Sequence, residues 1–154
     1  MEVRFLFTGK TKDPWVIEGV KHYQKRIKPY AVVSEEVIKE AQRLGPVAIK
    51  IDEAKRQLTA IKKSDFIILL DDKGKTQTSE GFAGLLLKWQ EQGFRQFSFL
   101  IGGAYGVTEE VKNACNYSLS LSALTFPHQL VRLMLVEQTY RAFSILNNEK
   151  YHHP

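Results

Sequence analysis

Two hydrophobic periods alternate along the chain, one of about two residues and one of three to four. Val3 to Thr8 reads as a first strand, with Gly9-Lys10-Thr11-Lys12 as its exit turn. Asp13 and Pro14 form an N-cap and first-turn pair for a helix to about Ile27, with Val16, Val20, Tyr23 and Ile27 on one face. A weaker strand covers Ala31 to Ile38. From Pro46, the residues Val47, Ile51, Ala54, Leu58 and Ile61 step by four and three, which predicts a second helix with that face inward. Phe66 to Leu70 is a continuous apolar run that ends at Asp71-Asp72-Lys73-Gly74, the pattern of a strand covered on both faces and then a turn. Thr78 or Ser79 caps a third helix bearing Phe82, Leu85, Leu86 and Trp89, and Gly93 stops it. Phe97 to Ile101 is a further buried strand leading into Gly102-Gly103-Ala104-Tyr105-Gly106. Thr108, with Glu109 and Glu110 behind it, caps a short helix to about Cys115.

The stretch from 117 to 144 carries the most information. Tyr117, Leu119 and Leu121 alternate as in a strand, a loop of small residues follows, and Pro127 opens a helix apolar almost all round at Leu130, Val131, Leu133, Met134, Leu135 and Val136. Such a helix needs cover on every side, which a partner subunit supplies readily, so a homodimer with a ligand site beside its interface is expected. Strand and helix patterns alternate throughout with no linker or repeat. The expected fold is a single α/β domain over residues 1–154, with a mostly parallel sheet and helices on both faces. In such sheets ligands bind beyond the carboxyl ends of the strands, where three loops fall: Leu70 to Lys75, Gly102 to Gly106, and Leu121 to His128.

Composition narrows the function classes. With 154 residues, 44% hydrophobic and 25% charged, the chain is ordinary globular material able to bury a core. Its 22 Lys and Arg against 17 Asp and Glu leave a formal charge of +5, which permits a polyanionic partner without requiring one. A lone cysteine, Cys115, rules out an internal disulfide and suits a reducing compartment. The start Met1-Glu2-Val3-Arg4 lacks a signal-peptide layout and no apolar run approaches membrane length, so a cytoplasmic protein away from membranes is expected.

The familiar motifs of other chemistries are missing. Gly102-Gly103-Ala104-Tyr105-Gly106 lacks G-x-G-x-x-G spacing and follows a late strand, and no G-x-x-x-x-G-K-[ST] occurs. This glycine loop is either a tight turn needing positive φ or a place where bare backbone approaches a flat ligand. His22, His128, His152 and His153 make no H-x-x-x-H pair, so no metal is expected. There is no G-x-S-x-G for a serine nucleophile.

Several stretches together match a known pattern: Ile101-Gly102-Gly103-x-x-Gly106, Leu119-Ser120-Leu121-Ser122-Ala123-Leu124-Thr125-Phe126-Pro127-His128, Val131-Arg132 with Glu137-Gln138-x-Tyr140-Arg141-Ala142, and the ending Tyr151-His152. The whole chain resembles the RlmH (YbeA) family, ribosomal RNA large-subunit methyltransferases of the SPOUT superfamily that methylate N3 of a pseudouridine. The resemblance implies a C-terminal trefoil knot, which periodicity alone would never propose. It also implies an S-adenosyl-L-methionine site at Leu70, Gly102, Leu121, Ser122, Ala123, Leu124, Thr125 and Phe126. Leu70, Leu121, Leu124 and Phe126 would wall an adenine slot, and the glycine and Ser122-Ala123 backbone would offer hydrogen bonds without bulk.

The implied reaction sets the remaining expectations. An imide N3 must lose its proton before or during attack on the sulfonium methyl, and alignment supplies much of the acceleration. Arg132 is the first candidate to stabilise the imidate, set against a phosphate clamp or an ion pair with Glu137. Tyr151 and His152 would gate the site or relay the proton if the tail folds over a partner's pocket, while a free tail would fray. His128 is equally readable as a structural residue at the helix start. The implied partners are ribosomal RNA or the assembled ribosome and a second copy of the chain. A SPOUT enzyme acting on transfer RNA and a non-catalytic RNA-binding domain remain as alternatives.

Overall fold

The computed structural model describes residues 1–61 and 66–154. Strand β1 (Glu2–Thr8) leads to helix α1 (Pro14–Ile27), then β2 (Val32–Ile38), α2 (Pro46–Ala60), β3 (Phe66–Thr76), α3 (Ser79–Glu91), β4 (Gln96–Ile101), α4 (Glu109–Ala114), β5 (Tyr117–Ser120) and α5 (His128–Leu146). The strands form one parallel sheet in the order β2-β1-β4-β3-β5. Helix starts follow local chemistry: Pro14 and Pro46 occupy first turns, while the Thr78 and Thr108 hydroxyls accept the N–H groups of Gly81 and Val111.

The central strands are apolar on both faces because both faces are covered. Val3, Phe5, Phe7, Ile68, Phe97 and Phe99 pack under α1, α3 and α5 in the larger layer. Leu6, Leu69 and Leu100 meet α2 and α4 in a thinner one. Phe5 and Phe99 stack with centroids 5.6 Å apart, and Phe66 stacks on Trp89 at 4.2 Å. At Gly19 the α1 backbone comes so close to α5 that a Cβ there would lie 2.7 Å from a Leu133 methyl.

Two sequence expectations are corrected here. Only the second half of the α2 apolar stripe faces the core: Ala54 is buried and Leu58 and Ile61 pack against the thinner layer, but Val47 and Ile51 are 71% and 54% exposed, and the polar Glu53 and Gln57 are buried instead. The sheet beneath α2 carries polar groups at Arg4, Thr8 and Ser98. Gln57 donates to the Thr8 hydroxyl at 3.1 Å, and Arg4 donates to the Ala60 carbonyl and the Ser98 hydroxyl, each at 3.2 Å. Buried polar groups demand partners, and satisfying them brings Gln57 into the buried face.

The second correction concerns β3, which continues to Thr76 rather than ending in a turn at Asp71. Its ladder with β5 is broken, however: Leu70 and Lys75 both lie opposite Leu119, so residues 71–74 are looped out between them. At the end of this bulge Gly74 lies close against β5, where a Cβ would sit 2.7 Å from the Ser118 carbonyl carbon. The chain passes from β4 across β3 to β5 at the sheet edge, then back through α5 to α1 and α3. A trefoil threading of this C-terminal part is consistent with that route.

Candidate active site

The carboxyl ends of β3, β4 and β5 open into one cavity of about 600 Å³, lined by residues of all three loops named from the sequence. Leu70, Gly102, Leu121, Ser122, Leu124, Thr125 and Phe126 all line it. Ala123 does not line it and is exposed.

Each loop is shaped by its own short-range bonds. After β5, the Ser120 hydroxyl donates to the Ser122 carbonyl at 2.9 Å, and the Ser122 hydroxyl accepts the Leu124 N–H at 3.0 Å. These small side chains satisfy the turn internally and keep its backbone near the cavity. After β4, the Gly106 N–H donates to the Gly103 carbonyl at 3.0 Å, with Gly106 at φ +81°. Gly102 is required by the loop itself, since a Cβ there would fall 2.7 Å from Val107 Cγ1. A Cβ at Gly103 would collide with the Glu53 carboxylate. The glycines thus admit close backbone packing more than they open ligand space.

In the β3 bulge, Asp71 accepts the Lys73 N–H at 3.0 Å and faces Lys112 Nζ at 3.4 Å. Burial raises the Asp71 pKa, but the Lys73 N–H, Asp72 and Lys112 outweigh it and hold the carboxyl below its usual range. Lys50 of α2 and Lys112 of α4 also line the cavity. Nothing in their sequence neighbourhood signals this, because they arrive from helices on the thinner layer. His128, at the start of α5, lines the cavity too. Desolvation of its ring, with a smaller push from the Arg132 guanidinium, lowers its pKa below the normal imidazole value.

Arg132 is placed elsewhere. It is 2% exposed, and its guanidinium donates to the Thr8 carbonyl at 2.8 Å, the Gly9 carbonyl at 2.9 Å and the Thr11 hydroxyl at 2.9 Å, with Cζ 5.0 Å from the Phe7 ring centre. It does not line the cavity. Nor does it pair with Glu137, which binds Arg141 instead at 2.5 and 3.0 Å.

The tail folds back on its own chain instead of fraying. Tyr151 donates to Glu137 at 2.9 Å, and its ring meets Tyr140 edge-on at 4.7 Å between Arg26 and Arg141. Burial and then the hydrogen bonds with Tyr23 and Glu137 raise the Tyr151 pKa well above that of a free phenol. His152 Nε2 lies 2.7 Å from Glu80, and its Nδ1 lies 3.2 Å from Arg141. Tyr30 bonds Glu149. Neither Tyr151 nor His152 lines the cavity of the same chain.

Helix α5 is also better covered than its sequence suggests, with eight residues buried, among them Leu135, Val136, Tyr140 and Phe143. Leu130, Val131, Leu133 and Met134 are half-buried. Val131 lines the main cavity and Met134 a smaller one of about 180 Å³ beside α3. Among the described residues no cluster of His, Cys, Asp or Glu could hold a metal ion, and no helix is long and apolar enough to cross a membrane.

A parallel sheet with a cavity at the carboxyl ends of β3, β4 and β5 defines an α/β protein with a small-molecule site. The family model described as "Predicted SPOUT methyltransferase" matches residues 1–152, and the chain belongs to that family. It is 39% identical over 159 residues to a protein of Halothermothrix orenii named "Ribosomal RNA large subunit methyltransferase H", with 99% of each chain covered. A protein of the same name from Maridesulfovibrio salexigens is 40% identical, covering 99% of this chain and 98% of the relative. Among solved structures, a probable methylase family protein from Haemophilus influenzae Rd KW20 superposes with a TM-score of 0.58 at 10% identity. That match covers 97% of this chain and 67% of the other, and is a likeness of fold.

Proposed function

We propose that the chain, acting as one SPOUT methyltransferase domain, transfers a methyl group from S-adenosyl-L-methionine to N3 of a pseudouridine in large-subunit (23S) ribosomal RNA. The observation that carries this reading is the convergence of the β3, β4 and β5 exits on one cavity, in a chain 39% identical along its full length to a protein named "Ribosomal RNA large subunit methyltransferase H". The residues present fit the cofactor. A cavity of about 600 Å³ lies within the range of roughly 300–1,000 Å³ usual for small-molecule sites. Leu70, Leu121 and Phe126 supply apolar walls for a flat heterocycle, and the Gly102 and 122–126 backbone supplies hydrogen-bonding edges. The bound cofactor would contribute an electrophilic methyl on a cationic sulfur.

The chain's own groups align the acceptor and manage its proton. The loops hold both reactants in a cleft walled by Leu121 and Phe126, so alignment supplies much of the rate. His128, the imidazole on the cavity wall, accepts the N3 proton as the imide attacks. Arg132 serves as a positioning residue that ties α5 to the β1 exit, and its charge lies near enough to His128 to lower the imidazole pKa. Tyr151 and His152 act across a homodimer contact, supported by the half-buried apolar side chains at the start of α5 and by Trp15, 57% exposed on neighbouring α1. A reducing cytoplasmic location suits an RNA-modifying enzyme with one free cysteine.

The test is methyl transfer from labelled cofactor to ribosomal particles and to transfer RNA, alongside calorimetry of cofactor binding and sedimentation of the chain. Label in the large-subunit RNA is expected. Label only in transfer RNA would move the substrate, and cofactor binding without any transfer would remove the enzymatic reading.

A further inference from the structure

Three side chains at the cavity mouth, Tyr105, Lys50 and Lys73, are not among those assigned to the cofactor. Tyr105 stands at the tip of the β4 turn, 52% exposed, and has no ring contact or hydrogen bond among the described residues. The turn beneath it is closed by the Gly103 to Gly106 bond and by the left-handed Gly106, so the ring is presented from a defined support. Leu124, 71% exposed, lines the same cavity from the loop after β5. Lys50 and Lys73 line it from α2 and the β3 bulge, and neither has an ion-pair partner among the described residues, whereas Lys112 is matched to Asp71. A large apolar side chain held in water at a ligand cavity is a ready stacking surface, and unpaired ammonium groups beside it attract phosphate.

We propose that Tyr105 and Leu124 bracket an unstacked nucleobase of the RNA at the cavity mouth, with Lys50 and Lys73 on the flanking phosphates. This rests on the RNA methylation reading and adds the side chains that hold the substrate. Aromatic faces accept any base, while the two lysines follow the backbone, so the pair contributes affinity for single-stranded RNA more than sequence choice.

The experiment compares wild type, Tyr105→Ala, Tyr105→Phe and Lys50→Gln in anisotropy titrations with a short labelled single-stranded oligoribonucleotide, in methylation of ribosomal particles, and in cofactor calorimetry. Tyr105→Ala should lower RNA affinity and raise the RNA KM by roughly five- to hundred-fold, as loss of one stacked base does. Its cofactor Kd should stay put, and Tyr105→Phe should keep RNA binding. Lys50→Gln should reduce the salt dependence of RNA binding by about one unit of slope. Unchanged RNA affinity in Tyr105→Ala, cofactor affinity falling in step with it, or no oligonucleotide binding by wild type would each overturn the inference. Binding through Tyr105 without methyl transfer to any RNA would refute the methylation reading instead and leave the rim standing.

Discussion

The Arg132 guanidinium donates to the Gly9 carbonyl at 2.9 Å, across 123 positions of sequence, and so clamps the first turn of α5 to the end of β1. With Thr8 and Thr11 also engaged, the side chain acts as a rivet between the oldest part of the sheet in chain order and the cavity wall. Arg132→Ala would take the guanidinium donor away from two buried carbonyls, and a loss of about 2–4 kcal/mol in folding stability is expected. Chemical denaturation checks this. A fall in kcat with unchanged stability would instead show that the guanidinium works on the substrate.

His128 gives a pH signature. Desolvation and the nearby Arg132 charge hold its pKa below the ordinary imidazole value, so the ring gains its proton at lower pH than a free imidazole does. The rate should therefore rise with pH through that lowered pKa and then level off. His128→Gln should lose about a hundred-fold in kcat, keep cofactor affinity, and lose the inflection. A variant with the wild-type profile would free His128 from the proton transfer.

Glu53 makes an opposite prediction about stability. Glu53 is 2% exposed, its Oε2 accepts the Ala41 N–H at 3.0 Å, and its Oε1 has no hydrogen-bond partner among the described residues. Desolvation raises its pKa, so the unfolded chain gives up this proton more readily than the folded one. Stability from this group is then present below the unfolded value and declines as pH rises through the raised folded value. Glu53→Gln keeps the acceptor for Ala41 and should be more stable than wild type at pH 8 by about 1–2 kcal/mol, with little difference at pH 4. Melting curves at the two pH values decide it.

Tail removal separates folding from transfer. Deleting residues 150–154 discards the Tyr151 bond to Glu137 and the His152 contact with Glu80, a loss of about 1–2 kcal/mol. Cofactor affinity should hold while methylation of ribosomal particles drops strongly. Full transfer by the shortened chain would leave Tyr151 and His152 a purely structural role.

Gly102→Val tests what the bare backbone of the β4 turn is for. Its side chain would meet Val107 before any ligand, so the variant should lose stability and cofactor affinity together. Cofactor binding lost in a chain of wild-type stability would show that the ligand, not Val107, needs the bare backbone.

Strand and helix order, caps at Thr78 and Thr108, and the three loops after Leu70, Ile101 and Leu121 were all legible along the chain, because they rest on local periodicity and on residues a few positions apart. The inward face of α2 was half legible: Ala54, Leu58 and Ile61 face the core as their spacing suggests, but Val47 and Ile51 turn outward, and Glu53 and Gln57 are buried, with Gln57 bonded to Thr8, distant in sequence. The β3 bulge was half legible, as a break at Asp71 but not as a strand resuming at Lys75 opposite the same Leu119.

The sequence by itself therefore determined the alternating α/β order, the loops that make the site, and, through resemblance, the family. Short-range preferences and motif identity suffice for those. Only the tertiary structure decided that Arg132 turns to the β1 exit, that the tail docks on α1, α3 and α5, and that Lys50, Lys112 and His128 join the cavity wall. Those outcomes depend on which donors and acceptors meet across the packed layers, and a buried polar group takes whatever partner the fold brings within reach.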